Sequence, residues 1–334
     1  MKLNRLLSTV AFFTFAIIQA QETSLNPSGK VTGKVSFNYH FNTSEGAQQK
    51  SAFELKRSYL GYKYKFDNKF SASILLDAGN NSEGSSYTVF VKNAKVDYKL
   101  KNGLVLTAGI FGLKQFKDQE KFWGYRYIYK SFNDENKFGS SADLGFMATA
   151  KFNKYLKMNL LMVNGEGYKS FQDDSGNMRY GANLVYTPSS KWVFKAYYDR
   201  MNEADTRLSN LALFAGYKMS HRFRIGGEYN LLKNGENYKR LTKNKDLKGL
   251  SFYSTFMVNK KWNVFARYDQ LSSNKLLGKE NGWNYNEDAT TIITGVECKP
   301  IKGVKTSLNY RIKDFEDSSQ KNVSAVYFNL SFYF

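Results

Sequence analysis

Hydrophobic and polar residues alternate with a period of two along most of this chain, in runs of about ten residues. In the first clear run, "KVTGKVSFNYHF" at 30–41, Val35 and Phe37 fall on one face while Lys34 and Ser36 fall on the other. This pattern predicts half-buried β-strands. After residue 21, only a short segment at 117–129 shows a helical period. The pattern therefore predicts an all-β fold.

The number of alternating runs is about sixteen, the kind of even number that single-chain bacterial outer-membrane barrels have. The runs span 29–41, 52–66, 69–79, 87–100, 103–112, 142–152, 154–164, 178–187, 191–200, 208–219, 221–232, 248–258, 261–271, 288–299, 303–313 and 323–334.

The connections between the runs alternate between short and long. The short ones are polar turns such as "DNK" at 67–69 and "SH" at 220–221, and the longest of the others is the third, at 112–141. A sheet with tight turns at one end and large loops at the other is typical of a transmembrane, up-and-down antiparallel β-barrel. A soluble sandwich offers no reason for this sorting. Because every backbone group in hydrocarbon must be paired, we expect the sheet to close.

A basic residue followed by an aromatic residue recurs directly after the short turns. The pairs are Lys69-Phe70, Lys154-Tyr155, Lys191-Trp192, Arg222-Phe223 and Lys261-Trp262. We interpret these aromatic residues as a girdle that faces lipid at the periplasmic end of the barrel. The competing interpretation is a set of ordinary strand-start aromatics in a soluble core. Their constant position relative to the turns favours the girdle.

Both ends of the chain fit an exported barrel. "MKLNRLLSTVAFFTFAIIQAQE" combines Lys2 and Arg5 with an apolar stretch, which predicts a signal peptide at 1–20 and a barrel domain at 21–334. The alternative, a retained anchor or buried helix, is disfavoured because the stretch is shorter than the roughly 20 residues of a membrane helix. The last run, "SAVYFNLSFYF", ends on Phe334, which alternation places on the lipid side. A terminal Phe resembles the signal that barrel-assembly machinery reads.

Composition narrows the partners. The formal net charge is +20 and the mean hydropathy is −0.52, which excludes a helical membrane protein but suits a barrel, because half of each strand faces water. The positive charge favours nucleic acid, an anionic surface or anionic solutes as partners. Nucleic acid is disfavoured among these, because an exported protein does not meet the chromosome. The lone Cys298 excludes an internal disulfide framework and a Cys-rich zinc site. The remaining candidate partners are small anionic or hydrophilic solutes, membrane lipid and lipopolysaccharide.

Catalytic, cofactor and metal motifs are missing from the sequence. Two histidines occur, His40 and His221, far apart in the chain, and a Ser–His hydrolase would need one of them beside a reactive serine. We therefore expect no enzymatic activity, no cofactor and no metal. A barrel esterase or phospholipase that depends on His40 is the competing hypothesis.

Many charged residues of the predicted strands point to the inner, polar face. The basic ones are Arg57, Lys63, Lys95, Lys99, Lys151, Arg179, Lys195, Arg222, Arg224, Arg267 and Arg311. The acidic ones are Asp77, Asp97, Asp143, Asp199, Glu228 and Asp269. Lys and Arg along a pore favour anions. The alternative is that these charges pair across strands and only hold the wall together.

The third long connection, at 112–141, interleaves basic and aromatic residues. Its basic residues include Lys114, Lys117, Lys121, Arg126 and Lys130, and its aromatic residues include Phe116, Phe122, Trp123, Tyr125, Tyr127 and Tyr129. Because so much apolar area must be buried, we expect this loop to fold into the wide lumen of the barrel. The five basic residues would then set a constriction. The alternative is a loop that packs on the outer mouth or on a neighbouring subunit.

Four segments carry a family resemblance. "FELKRSYLGYKYKFDNKFSASILLDAG" (53–79), "VKNAKVDYKLKNGLVLTAGIFG" (91–112), "VNGEGY" (163–168) and "FARYDQL" (265–271) resemble, in order, segments of the phosphate-selective porin O and P family. Arg57, Asp77, Asp97 and Arg267 match positions in them. The resemblance covers most of the mature chain. It implies a sixteen-stranded, trimeric porin with an inward third loop and anion preference, while the family's phosphate-binding arginines have no counterpart by motif.

The sequence thus predicts an outer-membrane porin, a water-filled channel for passive diffusion of small hydrophilic solutes, with a preference for anions and with phosphate as a candidate. The alternative is a barrel without a transport role, an adhesin or structural protein whose lumen is plugged by loops.

Overall fold

The computed structural model describes residues 27–44, 50–79, 87–203 and 205–334. The predicted signal peptide at 1–20 lies outside the described residues. Within these ranges, none of the helices combines the length and the apolar character needed to span a bilayer.

Sixteen antiparallel strands close into one barrel within the described part of the chain, which confirms the predicted fold class. The barrel strands are β1 (Ser28–Asn42), β2 (Ser51–Lys65), β3 (Phe70–Gly79), β4 (Thr88–Lys99), β5 (Leu104–Phe111), β6 (Asp143–Lys151), β7 (Leu156–Val163), β8 (Arg179–Tyr186), β9 (Trp192–Glu203), β10 (Thr206–Lys218), β11 (Phe223–Lys233), β14 (Leu247–Met257), β15 (Trp262–Ser273), β16 (Ala289–Cys298), β17 (Val304–Phe315) and β18 (Val323–Tyr333). Two short strands, β12 (Gly235–Asn237) and β13 (Arg240–Leu241), form a ribbon in one long loop.

The predicted runs and the observed strands coincide one to one. Their ends differ by at most three residues, the largest difference being at the end of β9. The helical segment expected at 117–129 is shorter, with α1 over Lys117–Trp123 and a one-turn helix α2 over Phe132–Glu135. Gly124 ends α1 in the left-handed conformation (φ 80°), which a residue without a side chain adopts at little cost.

Alternation separates the two faces of the wall. On β1, Ser36 and Asn38 are buried inside the barrel, whereas Val31 and Phe41 are exposed on its outer surface. On the facing strand β18, Ser331 pairs in register with Ser36, and their hydroxyl oxygens are 2.8 Å apart. The outer surface is therefore apolar and the inner surface polar, the reverse of a soluble barrel and the arrangement that hydrocarbon requires.

The short turns share one side-chain device. In four of them, a side-chain oxygen two or three residues before the strand-start aromatic accepts a hydrogen bond from the backbone N–H three residues further along the chain. The acceptors are Asp67 (2.6 Å), Asn153 (2.9 Å), Ser220 (3.0 Å) and Asn259 (3.0 Å). These Asx- and Ser-type turns reverse the chain within few residues. In the first of them, the amides of Phe70 and Lys69 lower the pKa of Asp67 below its ordinary value.

The strand-start aromatics lie where the girdle was predicted. Phe70, Tyr155, Trp192 and Trp262 are exposed on the outer surface next to the short turns, and Phe223 is half-buried there. Trp192 stacks on Tyr217 of the neighbouring strand at a centroid distance of 4.2 Å. Amphipathic rings in this position suit the boundary between lipid tails and headgroups.

The barrel closes through the end of the chain. Gly33 and Phe334 exchange two backbone hydrogen bonds, each 3.1 Å long, directly after the last β1–β18 pairs. Gly33 has no side chain, and the Phe334 ring occupies the space where a Cβ at position 33 would lie. The terminal residue thus completes the seam between the first and last strands.

We predict that deletion of Phe334 lowers the amount of folded barrel in the outer membrane, measured as heat-modifiable migration of the protein. A Phe334→Tyr variant keeps the ring and both backbone bonds and serves as the control. Gly33→Val crowds the ring while keeping the terminal aromatic, so it separates a seam defect from loss of an assembly signal. Unchanged folded levels after deletion would contradict the prediction.

Candidate solute pathway

The third long loop (112–141) lies inside the barrel, as the sequence predicted. Its aromatic residues pack against the inner wall of strands β10, β14, β15 and β16, with Phe122 edge-to-face on Phe214 at 5.5 Å and Trp123 edge-to-face on Phe265 at 5.8 Å. The packed residues of the loop are Phe122, Trp123, Tyr125, Tyr127 and Ile128. Burial of this apolar surface stabilises the inward position.

Cations of the wall hold the main chain of this loop. Arg224 donates to the carbonyl of Trp123 at 3.1 Å, Arg311 to that of Ile128 at 2.9 Å, and Arg267 to that of Lys130 at 2.7 Å. On β9, the buried Lys195 donates to the Gln119 side chain at 2.7 Å and to the carbonyl of Gln115. These four predicted pore-lining residues therefore satisfy loop carbonyls that would otherwise lack partners in the lumen.

The cations of the loop itself are largely paired within it. Arg126 donates to Glu120 at 2.9 Å and to Asp134 at 2.7 Å. Burial raises the pKa of Asp134, but the combined positive charges of Arg126, Lys130, Arg57 and Lys92 bring this pKa below its ordinary value. Lys117 lies 3.5 Å from Glu120. Lys130 lies 3.5 Å from Glu135, a carboxylate at the end of α2.

Lys114 and Lys121 differ from the other predicted constriction residues, because neither forms an ion pair among the described residues. Lys121 is exposed and borders a cavity of about 570 Å³ at the short-turn end, together with Lys154 and Lys218. Burial, followed by the positive charge of Lys157, lowers the pKa of Lys114 to about 8.

The half of the lumen opposite the packed loop stays open. An outer cavity of about 920 Å³ is bordered by Arg57, Lys92 and Arg126, and an inner cavity of about 720 Å³ by Lys34, Lys305 and Arg126. Arg126 thus belongs to the lining of both cavities. We take the region between the two cavities, between the loop and strands β1 and β2, as the candidate narrow part of a solute pathway.

The cations of the open wall are unpaired. In the described ranges of the chain, no carboxylate forms an ion pair with Lys34, Arg57 or Lys92. The Arg57 guanidinium lies over the Tyr59 ring at 4.6 Å, and its largest charge interaction is with Arg126. Lys34 in turn experiences the positive charges of Arg57, Lys305 and Arg126 and the negative charge of Glu120. Lys34, Arg57 and Arg126 therefore interact electrostatically in this part of the lumen, where Glu120 and Asp134 offset part of their positive charge.

Sequence reasoning missed two of these residues. Lys34 lies on the polar face of the first alternating run, and its place on that face is the available signal. Lys92 follows from a β-bulge, because Leu75 pairs with Asn93 while Leu76 pairs with Val91, which leaves Lys92 without a partner on β3. The extra residue reverses the alternation. Lys92 therefore turns inward, where it contacts the Ser141 hydroxyl and the Tyr168 ring at 3.8 Å.

Some predicted wall charges have partners in the protein. Arg179 on β8 donates to Asp199 on β9 at 2.8 Å, which is the pairing across strands that the sequence left open as an alternative. Lys95 donates to Asp97 of the same strand at 2.6 Å, and the Tyr168 hydroxyl donates to Asp77 at 3.2 Å.

The remaining wall candidates lie near the short-turn end. Lys63 is exposed there, on the inward register of β2 opposite Lys30. Arg222 was expected on a strand, but it precedes β11, lies exposed in the turn and donates to the His221 ring at 3.3 Å. Strand β11 begins two residues later than the alternation suggested, because the Ser220 hydroxyl accepts hydrogen bonds from the amides of Arg222 and Phe223 and keeps Arg222 in the turn.

The surroundings of His40 and the arrangement of possible metal ligands bear on the enzyme hypothesis. His40 lies in the wall with its Nδ1 3.6 Å from Glu54 and its ring beside Tyr327. Over the described ranges, no group of three or more His, Cys, Asp or Glu residues is arranged to hold a metal ion.

Solved outer-membrane porin structures share this fold. The anion-selective porin from Comamonas acidovorans is similar with a TM-score of 0.70 and 10% identity, over 92% of this chain and 100% of that one. OmpF of Salmonella typhi has a TM-score of 0.67 and 14% identity, over 92% and 97% of the two chains. The trimer form of OmpT, an outer-membrane protein of Vibrio cholerae, has a TM-score of 0.63 and 12% identity, over 92% and 99%. Likeness at this identity establishes the fold.

Neither a family model nor a curated protein sequence matches the chain.

We predict that Arg267→Gln loosens the inward loop. Arg267 is buried and makes paired hydrogen bonds to Asp269 at 2.8 and 2.7 Å, and removing one member of such a pair costs about 3–5 kcal/mol. The expected results are a lower temperature for the heat-induced band shift and greater current noise in single channels. The exposed Arg207→Gln provides the control.

A double variant, Arg267→Met with Asp269→Leu, separates stability from loop anchorage. It removes both members of the Arg267–Asp269 pair, so neither remains as an unpaired buried charge, and the band-shift temperature should partly recover. The recovery is partial because the buried Glu228 also loses the positive charge of Arg267. The current noise should persist, because the carbonyl of Lys130 still lacks its donor. If Arg267→Gln behaves like Arg207→Gln in both measurements, the proposed role of Arg267 in holding the loop is contradicted.

Proposed function

We propose that this barrel is a bacterial outer-membrane porin that passes small hydrophilic solutes by passive diffusion and prefers anions. The observation that carries the proposal is the position of Arg126 between the outer and inner cavities, facing the unpaired Arg57 and Lys34. The comparison structures include an anion-selective porin of the same fold. The channel is then the open half of the lumen.

Selectivity in this proposal is electrostatic. At the narrow part, Lys and Arg replace some of the water around an anion, and their fields are stronger beside the low-dielectric wall than in bulk water. Glu120 and Asp134 neutralise much of the charge of Arg126 but also fix its position. We infer that Arg57 and Lys34, on the wall, and the five basic residues proposed from sequence act together. Lys114, Lys117, Lys121, Arg126 and Lys130 set the shape and the local field on the loop side.

The same proposal covers location and assembly. An apolar outer surface bounded by aromatic residues suits the bacterial outer membrane, with lipid around the wall and lipopolysaccharide at the long-loop end. Phe334 would be read by the barrel-assembly machinery. A homotrimer is proposed by analogy with the trimer form of the Vibrio cholerae protein. Membership of the phosphate-selective porin O and P family, with phosphate among the solutes, is part of this proposal.

We predict discrete conductance steps for the purified protein in planar bilayers, and a reversal potential in a KCl gradient that indicates anion preference. Arg57→Gln and Lys34→Gln should each shift the reversal potential toward cation preference without abolishing conductance, because each removes one unpaired charge. Lys243→Gln, in an exposed loop, is the matched control with the same charge change.

The outcomes discriminate between the hypotheses. A lack of discrete current would end the porin proposal and favour the adhesin or structural barrel with a plugged lumen. Cation preference in the wild type would contradict the proposed anion preference but would leave the porin proposal in place. Currents measured with added phosphate, sulfate and pyrophosphate would show whether phosphate reduces chloride current more than sulfate does, as the phosphate hypothesis requires.

A further inference from the structure

The short-turn end of the barrel carries a surface charge that the channel proposal does not use. Seven turns, at 66–69, 100–103, 152–155, 187–191, 219–222, 258–261 and 299–303, contain a single carboxylate residue, Asp67. Their basic residues are Lys69, Lys101, Lys154, Lys191, Arg222, Lys260, Lys261, Lys299 and Lys302. Asp67 is occupied by the backbone amides of its own turn.

Most of these cations have no carboxylate partner among the described residues. Lys299 lies 3.2 Å from Glu297, but among the described residues no carboxylate forms an ion pair with any of the other eight. At the long-loop end, by contrast, Arg240 and Lys245 share Glu236, and Lys313 pairs with Glu287. Exposed cations repel one another when they are concentrated on one rim, so the bare rim requires an external anion to offset this cost.

Apolar side chains surround the same rim on its outer surface. In five of the seven turns, the residue directly after the descending strand is apolar and exposed on the outer surface, and the set is Phe66, Leu100, Phe152, Met219 and Val258. In five of the seven, an aromatic residue stands at the start of the next strand, as described above, whereas the strands after the turns at 100–103 and 299–303 begin with Leu104 and Val304. In the turn at 152–155, the Lys154 ammonium lies 4.9 Å from the centre of the Tyr155 ring. The rim therefore presents an apolar and aromatic ring bordered by free ammonium groups.

We propose that the short-turn rim binds anionic phospholipid headgroups of the leaflet that surrounds it. The apolar ring lies at the level of the acyl chains, Trp and Tyr lie at the headgroup boundary, and the lysines reach the phosphates. Each basic residue near an anionic leaflet strengthens attraction about five-fold. The proposal requires that the barrel span a membrane but not that it conduct ions.

A phospholipid fits this surface better than an anionic polymer beneath the membrane. A polymer would contact the lysines from below and leave the exposed Phe66, Phe152 and Met219 without a role. A lipid provides the headgroup charge and the acyl chain together. The cations also follow the complete ring of turns rather than one side of it, which matches an annulus of lipid.

The test compares two variants with equal charge change. The rim variant carries Lys→Gln at Lys69, Lys101, Lys191, Lys260 and Lys261, none of which borders the cavities of the pathway. The loop variant carries Lys→Gln at the exposed long-loop residues Lys50, Lys243, Lys275, Lys279 and Lys321. The full-length mature barrels are placed in phosphatidylcholine nanodiscs with and without phosphatidylglycerol. Native mass spectrometry counts the retained lipid, and the band-shift temperature reports stability.

For the wild type and the loop variant, we expect phosphatidylglycerol to be enriched over phosphatidylcholine and to raise the band-shift temperature. The rim variant should lose about ten-fold or more of the enrichment, together with the temperature gain. Salt at about 1 M, where the Debye length is about 3 Å, should abolish the difference between the variants.

Equal enrichment in the rim and loop variants would overturn the proposal, since it would indicate non-specific charge attraction. No enrichment in the wild type would also overturn it. If the rim variant responds to phosphatidylglycerol like the wild type but loses binding to isolated cell-wall sacculi, the partner is the wall polymer and the proposal is wrong. Heat-modifiable migration of the rim variant shows that its barrel is folded whether or not it conducts ions, so failure of this proposal is distinguishable from failure of the channel proposal.

Discussion

Every backbone N–H and C=O group that faces hydrocarbon must find a partner inside the protein, and the rest of this structure depends on that constraint. A sheet meets it by closing on itself, so the first and last strands must pair along their length, down to the bonds between Gly33 and Phe334. Closure also reverses the usual distribution of side chains. Apolar residues cover the outside, and the polar residues that remain must fill a lumen wide enough to hold water.

A wide lumen creates a second problem, which the third loop addresses. The loop brings aromatic area and main-chain carbonyls into the barrel, and the wall supplies both an apolar patch and cationic donors for them. Arg224, Arg267 and Arg311 each donate to a loop carbonyl, while the opposite wall keeps Arg57 and Lys34 free. One set of basic residues therefore holds the loop in place, and another set provides the positive electrostatic field along the proposed pathway. The proposed anion preference comes from this division and not from the total charge.

The strands were predictable from sequence because each one is a local pattern with a period of two, repeated between recognisable turns. Asp67, Asn153 and Asn259 are turn residues whose side chains bond the backbone two or three residues away, so their effect is local too. Alternation failed at Lys92, where a bulge whose presence depends on the pairing of β3 with β4 turns the residue inward. The free cations of the rim follow equally from the turn sequences, because the same short turns that reverse the chain carry them.

By itself the sequence determined the number, the order and the faces of the strands, the tight end and the loop end, and the need for the aromatic third loop to bury itself. These properties follow from spacing along the chain. The tertiary structure decided which inward-facing basic residues bind the loop or a carboxylate and which stay unpaired. Lys195 and Arg267 look the same as Arg57 in an alternating run, yet the main-chain carbonyls that accept their hydrogen bonds, those of Gln115 and Lys130, lie 80 and 137 residues away along the chain. Only the path of the loop through the lumen brings those partners near. Spacing along the chain shows the charge of each residue but not its distance from groups that are remote in sequence.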